Sequence, residues 1–100
     1  MKPKLVRDNI PDIIREDGKV PLIRVARMTE AKELIIEKMH EEIDEFGEEP
    51  CLEEAADIYH VFMTLLRIHE MTFDQVVKAA VEKASRAGRF EEMYILDGVI

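Results

Sequence analysis

Glu41-Glu42-Ile43-Asp44-Glu45 and Glu53-Glu54-Ala55-Ala56-Asp57 stand on either side of a short break that contains Gly47 and Pro50. On a helix of ~3.6 residues per turn, Glu42 with Glu45 and Glu54 with Asp57 are i, i+3 neighbours, about a turn apart. Each pair can close on one cation. Read as the end of one helix and the start of the next, the two clusters bring four carboxylates to a single corner. Carboxylates crowded in this way repel one another unless cations neutralise them, and Mg²⁺ is the hard ion that prefers oxygen ligands while keeping several waters. A water held by such an ion has a lowered pKa and can attack phosphorus, while the ion screens a polyphosphate from the acidic wall.

Two long helices must position these groups. The first is expected to start after Thr29 as N-cap and to run through Phe46, with Gly47 as its stop. At ~100° per residue, Ile35, Met39, Ile43 and Phe46 form its apolar stripe. Glu42 and Glu45 flank that stripe on the same shoulder as Lys38, and Glu41 lies just behind them. Glu37, His40 and Asp44 point elsewhere. The second long helix is expected from about Pro50 to His69 or Glu70. It is apolar around most of its circumference, with a narrow polar strip of Glu53, Asp57, His60, Thr64 and Arg67. Glu54 falls outside that strip, between Val61 and Leu65 on the wheel. An unpaired buried charge costs several kcal/mol, so Glu54 must be protonated, paired or bound to metal.

The remaining segments frame this pair. Asn9 as cap, Pro11 in the first turn and Gly18 as stop predict a short helix with Ile10, Ile13 and Ile14 on its apolar side. Residues 20–25 are rich in β-formers, but Pro21 confines them to an edge strand or an extended arm. Residues 90–96 are the only other strand candidate, and the two segments allow a small two-stranded ribbon. Thr72 and Gln75 match a capping box that opens a third long helix through Ala87, ended by Gly88. Its buried face is expected to hold Phe73, Val76, Val77, Ala80, Val81 and Ala84. Lys83, Arg86 and Arg89 gather at its C-terminal end, where cations suit the helix dipole.

The composition narrows the function. One hundred residues with 47% apolar content make one soluble domain, residues 1–100, with a modest core. The second long helix needs more cover than its neighbours supply. The expected fold is therefore all-α, an antiparallel helical bundle completed by dimerisation into a four-helix core, with room for further association. A formal charge of −8 argues against a nucleic-acid polymer as partner, because backbone binding needs clustered Lys and Arg. The apolar run 58–66 is interrupted by His60 and Thr64 and is far shorter than the ~20 residues a membrane span needs. With no signal-like N-terminus and a single cysteine, Cys51, expected as a buried thiol, a reducing, cytoplasmic setting is expected.

Glu41-Glu42-x-x-Glu45 followed by Glu54-x-x-Asp57 resembles the EExxE…ExxD signature of the all-α NTP pyrophosphatase superfamily. That superfamily includes MazG-like proteins, dimeric dUTPases and phosphoribosyl-ATP pyrophosphohydrolase. Asp57-Ile58-Tyr59-His60 is similar to the region after the second acidic pair in the phosphoribosyl-ATP enzyme. Residues 4–11, Lys-Leu-Val-Arg-Asp-Asn-Ile-Pro, and residues 86–91, Arg-Ala-Gly-Arg-Phe-Glu, resemble the ends of a short phosphoribosyl-ATP pyrophosphohydrolase-like subfamily. The resemblance covers nearly the whole chain. It implies Mg²⁺-dependent cleavage, with Mn²⁺ as a substitute, of the α–β phosphoanhydride of a nucleoside triphosphate, and metal binding by Glu42, Glu45, Glu54 and Asp57. Only eight residues separate Glu45 from Glu54, fewer than in many MazG-like members, so the loop offers little material for recognising a base.

Within that reading Glu45, beside Glu42, orients or deprotonates the attacking water. Lys38, Lys83 or Arg86 contacts phosphate oxygens, and Arg7 either joins them or forms an ion pair. Two other readings stay open at this point. One is a carboxylate-bridged di-iron or di-manganese bundle built on Glu37-x-x-His40, which the wheel disfavours because these residues turn away from the stripe. The other is a non-enzymatic helical dimer that binds a protein partner.

Overall fold

The computed structural model describes residues 2–100 and consists of four helices: α1 (Ile10–Glu16), α2 (Met28–Glu48), α3 (Leu52–Ile68) and α4 (Phe73–Ala87). The chain divides into two compact units, Met1–Glu70 and Met71–Ile100. Among the described residues there is no strand, and no helix is long and apolar enough to cross a membrane.

The first unit is built on a hairpin of α2 and α3, which pack against each other across a three-residue turn, Glu49-Pro50-Cys51. A connection this short holds the two helices antiparallel. Helix α2 begins earlier than the sequence predicts. Its cap is Arg27, in extended backbone (φ −72°, ψ 156°) with no side-chain capping bond, and Thr29 lies inside the first turn. Glu30 supplies the negative charge that suits a helix N-terminus, and Arg24 grips it with two hydrogen bonds of 2.6 Å. That charge-assisted pair holds the Glu30 carboxyl below its ordinary value.

Gly47 also departs from expectation: α2 passes through it and ends at Glu48. A glycine stops a helix by taking a positive φ, and Gly47 does not. The stop is instead Pro50, which disfavours helical backbone in the preceding residue, and Glu49 is accordingly non-helical (φ −140°, ψ 81°). Cys51, expected to be buried, is exposed, because it caps α3 from the turn and carries no position on the helix's apolar face.

Three apolar side chains form the buried core, Ile35 of α2 with Val61 and Leu66 of α3. Met39, Phe46, Phe62 and Leu65 are half-buried around them. Ile43, expected in the same stripe, is 51% exposed. Residues 18–27 are irregular. Val20, Leu22 and Val25 are exposed, and the strand the sequence allows over 20–25 does not form. An edge segment needs a ladder partner to be worth its ordering entropy, and Pro21 removes one of its donors.

The second unit is α4 and the tail that follows. The capping box is present: the Thr72 hydroxyl accepts from the Gln75 amide at 3.1 Å, and the Gln75 side chain accepts from the Thr72 amide at 2.9 Å. At the other end Gly88 takes φ +79°, the left-handed backbone that glycine tolerates without strain. On the apolar face Val76 and Ala84 are half-buried, whereas Phe73, Val77 and Val81 are exposed. Residues 90–96 turn at Glu91 and Glu92 and form no strand, so the expected ribbon is absent from both of its segments.

Thr72→Ala removes one half of the reciprocal cap, and a cap of this kind is worth about 1 kcal/mol. Its amides in the first turn of α4 should exchange with solvent several-fold faster than in the wild type. Unchanged exchange there would show that the box contributes nothing to the helix.

Candidate metal centre

The hairpin register decides the site. Glu42 and Glu45 lie in the last two turns of α2, and Glu54 and Asp57 in the first two turns of α3. With a three-residue turn and antiparallel helices, these two ends are adjacent. One carboxylate oxygen from each of Glu42, Glu45, Glu54 and Asp57 lies within 4.8 Å of the others. These are the four residues that the sequence singles out. Oxygens opposite one another around an octahedral Mg²⁺ lie about 4.2 Å apart, twice its ~2.1 Å bond. The spread of the four carboxylates is thus on the scale of a shared cation.

The four differ in environment. Glu42 is 5% exposed, the only charged residue that is buried among the described residues. Sequence periodicity placed it only on the shoulder of the apolar stripe, and its burial comes from α3 packing over that shoulder. Glu45, Glu54 and Asp57 are half-buried. Two oxygens, Oε2 of Glu42 and Oε2 of Glu54, are buried without a hydrogen-bond partner. A buried carboxylate oxygen left unpartnered is costly, and either a proton or a cation shared by the cluster would relieve that cost.

Electrostatics agrees with that geometry. Burial pushes the Glu42 carboxyl above the ordinary carboxylate range, and the neighbouring charges of Glu45 and Asp57 push it further, against the opposing pull of Lys38. Burial also raises Glu54, helped by Asp57, Glu42 and Glu53. In each case the charged form is disfavoured by lost water and by like charge.

Two resident cations touch the cluster. Lys38, whose side chain is only 21% exposed, reaches Glu41 at 3.5 Å and Glu42 at 3.4 Å along α2. Arg7, from the irregular N-terminal segment, donates from Nη2 to Asp57 Oδ1 at 2.5 Å and from Nη1 to His60 Nδ1 at 3.2 Å. A guanidinium can only donate, so the His60 Nδ1 is an acceptor. Of the two roles the sequence allows for Arg7, the ion pair is the one formed in this structure. Its partner could not be read from the sequence, because 50 residues separate Arg7 from Asp57.

Of the other candidates, Lys83 and Arg86 lie on α4 in the second unit, where Arg86 approaches Glu82 at 3.9 Å. Glu37 and His40, the pair on which a di-iron bundle would depend, are exposed and lie outside the cluster, and Glu37 pairs with Lys2 at 3.5 Å. Comparison with protein-family models, with curated proteins and with solved structures finds no match for this chain.

Without a cation, the raised carboxyls make the hairpin sensitive to pH. A carboxyl whose folded pKa lies above its unfolded value of ~4.3 binds its proton more tightly in the folded state. Its contribution to stability is therefore greatest at low pH and falls as pH rises through the raised value. The Arg24–Glu30 pair works in the opposite direction, so the comparison that isolates the cluster is with Glu42→Gln. In chelator, the variant should melt roughly 4–8 °C above the wild type at about pH 7.5, the shift that ~1 kcal/mol gives in a domain of this size. The gap should close toward about pH 4. A variant that melts lower than the wild type at neutral pH would contradict this account of the cluster.

Proposed function

We propose that this chain is a divalent-cation-dependent nucleotide pyrophosphohydrolase of the MazG-like, all-α NTP pyrophosphatase type. The observation that carries the reading is the convergence of Glu42, Glu45, Glu54 and Asp57 within 4.8 Å, with one buried oxygen each on Glu42 and Glu54 left without a partner. When bound, Mg²⁺, or Mn²⁺ in its place, supplies charge neutralisation for the phosphates and lowers the pKa of a water that it holds.

The protein's own groups divide the remaining work. Glu42 and Asp57 are held by Lys38 and Arg7, whereas Glu45 and Glu54 have no basic partner among the described residues. Glu45 is half-buried and has no basic partner among the described residues, which suits it to accept the proton of the attacking water. The water oxygen bonds to the α-phosphorus as the bond to the bridging oxygen breaks, and that oxygen leaves with the β- and γ-phosphates as pyrophosphate. Lys38 beside Glu42 is the cation placed to meet phosphate oxygens that crowd the acidic wall.

In this reading two copies pack their hairpins into a four-helix core. Support comes from how little one copy buries: three apolar side chains among the described residues, with Tyr59 on α3 and Ile36 and Ile43 on α2 exposed. A core of that size is small for an independently stable domain.

The test is a screen of nucleoside triphosphates, normal and modified, for pyrophosphate release with and without Mg²⁺. Activity should require the ion, and Glu54→Gln should abolish it while leaving the helical circular-dichroism signal intact. Turnover by Glu54→Gln equal to the wild type would remove Glu54 from the site. Absence of release from every nucleotide, together with no rise in melting temperature on adding Mg²⁺, would leave a non-enzymatic helical protein.

A further inference from the structure

The N-terminal motif Lys4-Leu5-Val6-Arg7-Asp8 touches both helices that carry the carboxylates, and its Arg7 holds Asp57. Residues 2–8 have no regular secondary structure. Their first half lies along α2, where Leu5 is half-buried and, with Lys4, faces Leu34, Lys38 and Glu41 across a hollow of about 220 Å³. Their second half delivers Arg7 to α3, onto Asp57 and His60 together. The segment is a strap whose far end is fastened to one of the four converging carboxylates.

We propose that Arg7 is a built-in competitor for the cation. This rests on the metal site proposed above, and that site has a second support besides its acidity: Glu42, which gives one oxygen to the cluster, is 95% buried and its Oε2 has no hydrogen-bond partner. Asp57 is both the strap's anchor and one of the four oxygens a cation would share. A guanidinium on Asp57 and a dication on the same carboxylate are like charges a few ångströms apart, and they compete for the same oxygens. Cation binding therefore loosens Arg7 from Asp57 and, with it, from His60. The released guanidinium is free for the anionic ligand that the cation recruits. Metal-free, Arg7 occupies Asp57 and offsets part of the cluster's charge; metal-loaded, it becomes available to the substrate.

The test uses the full chain and Mg²⁺ alone. Calorimetric titration should show Arg7→Gln binding Mg²⁺ roughly twofold to fivefold more tightly than the wild type, the range expected from deleting a half-exposed ion pair. Arg7→Lys, which keeps the charge, should stay near the wild type. In wild type at about pH 8, where imidazole is neutral, ¹⁵N NMR should find His60 locked with its proton on Nε2. Saturating Mg²⁺ should release that lock. Equal or weaker Mg²⁺ binding by Arg7→Gln would overturn the proposal, because Arg7 would then be orienting Asp57 for the metal. A His60 signal unmoved by saturating Mg²⁺ would overturn it too. If neither protein takes up Mg²⁺, the metal site itself is wrong and this inference falls with it.

Discussion

Four carboxylates are held within 4.8 Å of one another on two helices that are otherwise packed by apolar contacts. Everything in the first unit accommodates that crowding. Like charges at this separation repel strongly once water is displaced, and burial adds its own penalty to Glu42 and Glu54. The chain answers with two cations from different places, Lys38 one turn away on α2 and Arg7 from the N-terminal strap. Two cations do not neutralise four carboxylates, and the two orphaned oxygens mark where the balance is incomplete. A cluster of this kind costs the fold stability while its charge is unbalanced.

The hairpin is what makes the crowding unavoidable. Helix α2 runs 21 residues and α3 runs 17, and only three residues join them. The turn leaves the chain no freedom to move the last turns of α2 away from the first turns of α3. Because Pro50 and the non-helical Glu49 fix where α2 ends, the register of Glu42 and Glu45 against Glu54 and Asp57 follows from local backbone rules. Packing of Ile35, Val61 and Leu66 then decides how far each carboxylate is turned inward. The same core is too small to account for the apolar surface that the chain leaves exposed, from Leu22 and Val25 to Phe90, Tyr94 and Leu96. That surface is the physical motive for the proposed association of two copies.

Much of this was legible in the sequence. The four ligand candidates followed from i, i+3 spacing on either side of a helix break, and the all-helical class from apolar periodicity. The capping box at Thr72 and the glycine stop at Gly88 were readable because both are local and each depends on fewer than five residues. Where local signals competed, the sequence misled. Thr29 looked like a cap and Gly47 like a stop, but α2 begins after Arg27, which takes extended backbone, and Pro50 sets its end. The β-formers at 20–25 and 90–96 carried strand propensity and no ladder, since propensity describes a surface that a partner must complete.

Spacing along the chain, then, determined which carboxylates share a helical face. Only the tertiary structure decided which of them is buried, because burial of Glu42 depends on α3 lying over the shoulder of α2, and periodicity within one helix cannot report what packs against it. It also decided what answers the charge. Arg7 reaches Asp57 and His60 from some 50 positions away through an irregular segment, and no repeat or spacing encodes a contact of that kind. The acidic corner was written in the sequence; the strap that fastens onto it is a property of the fold.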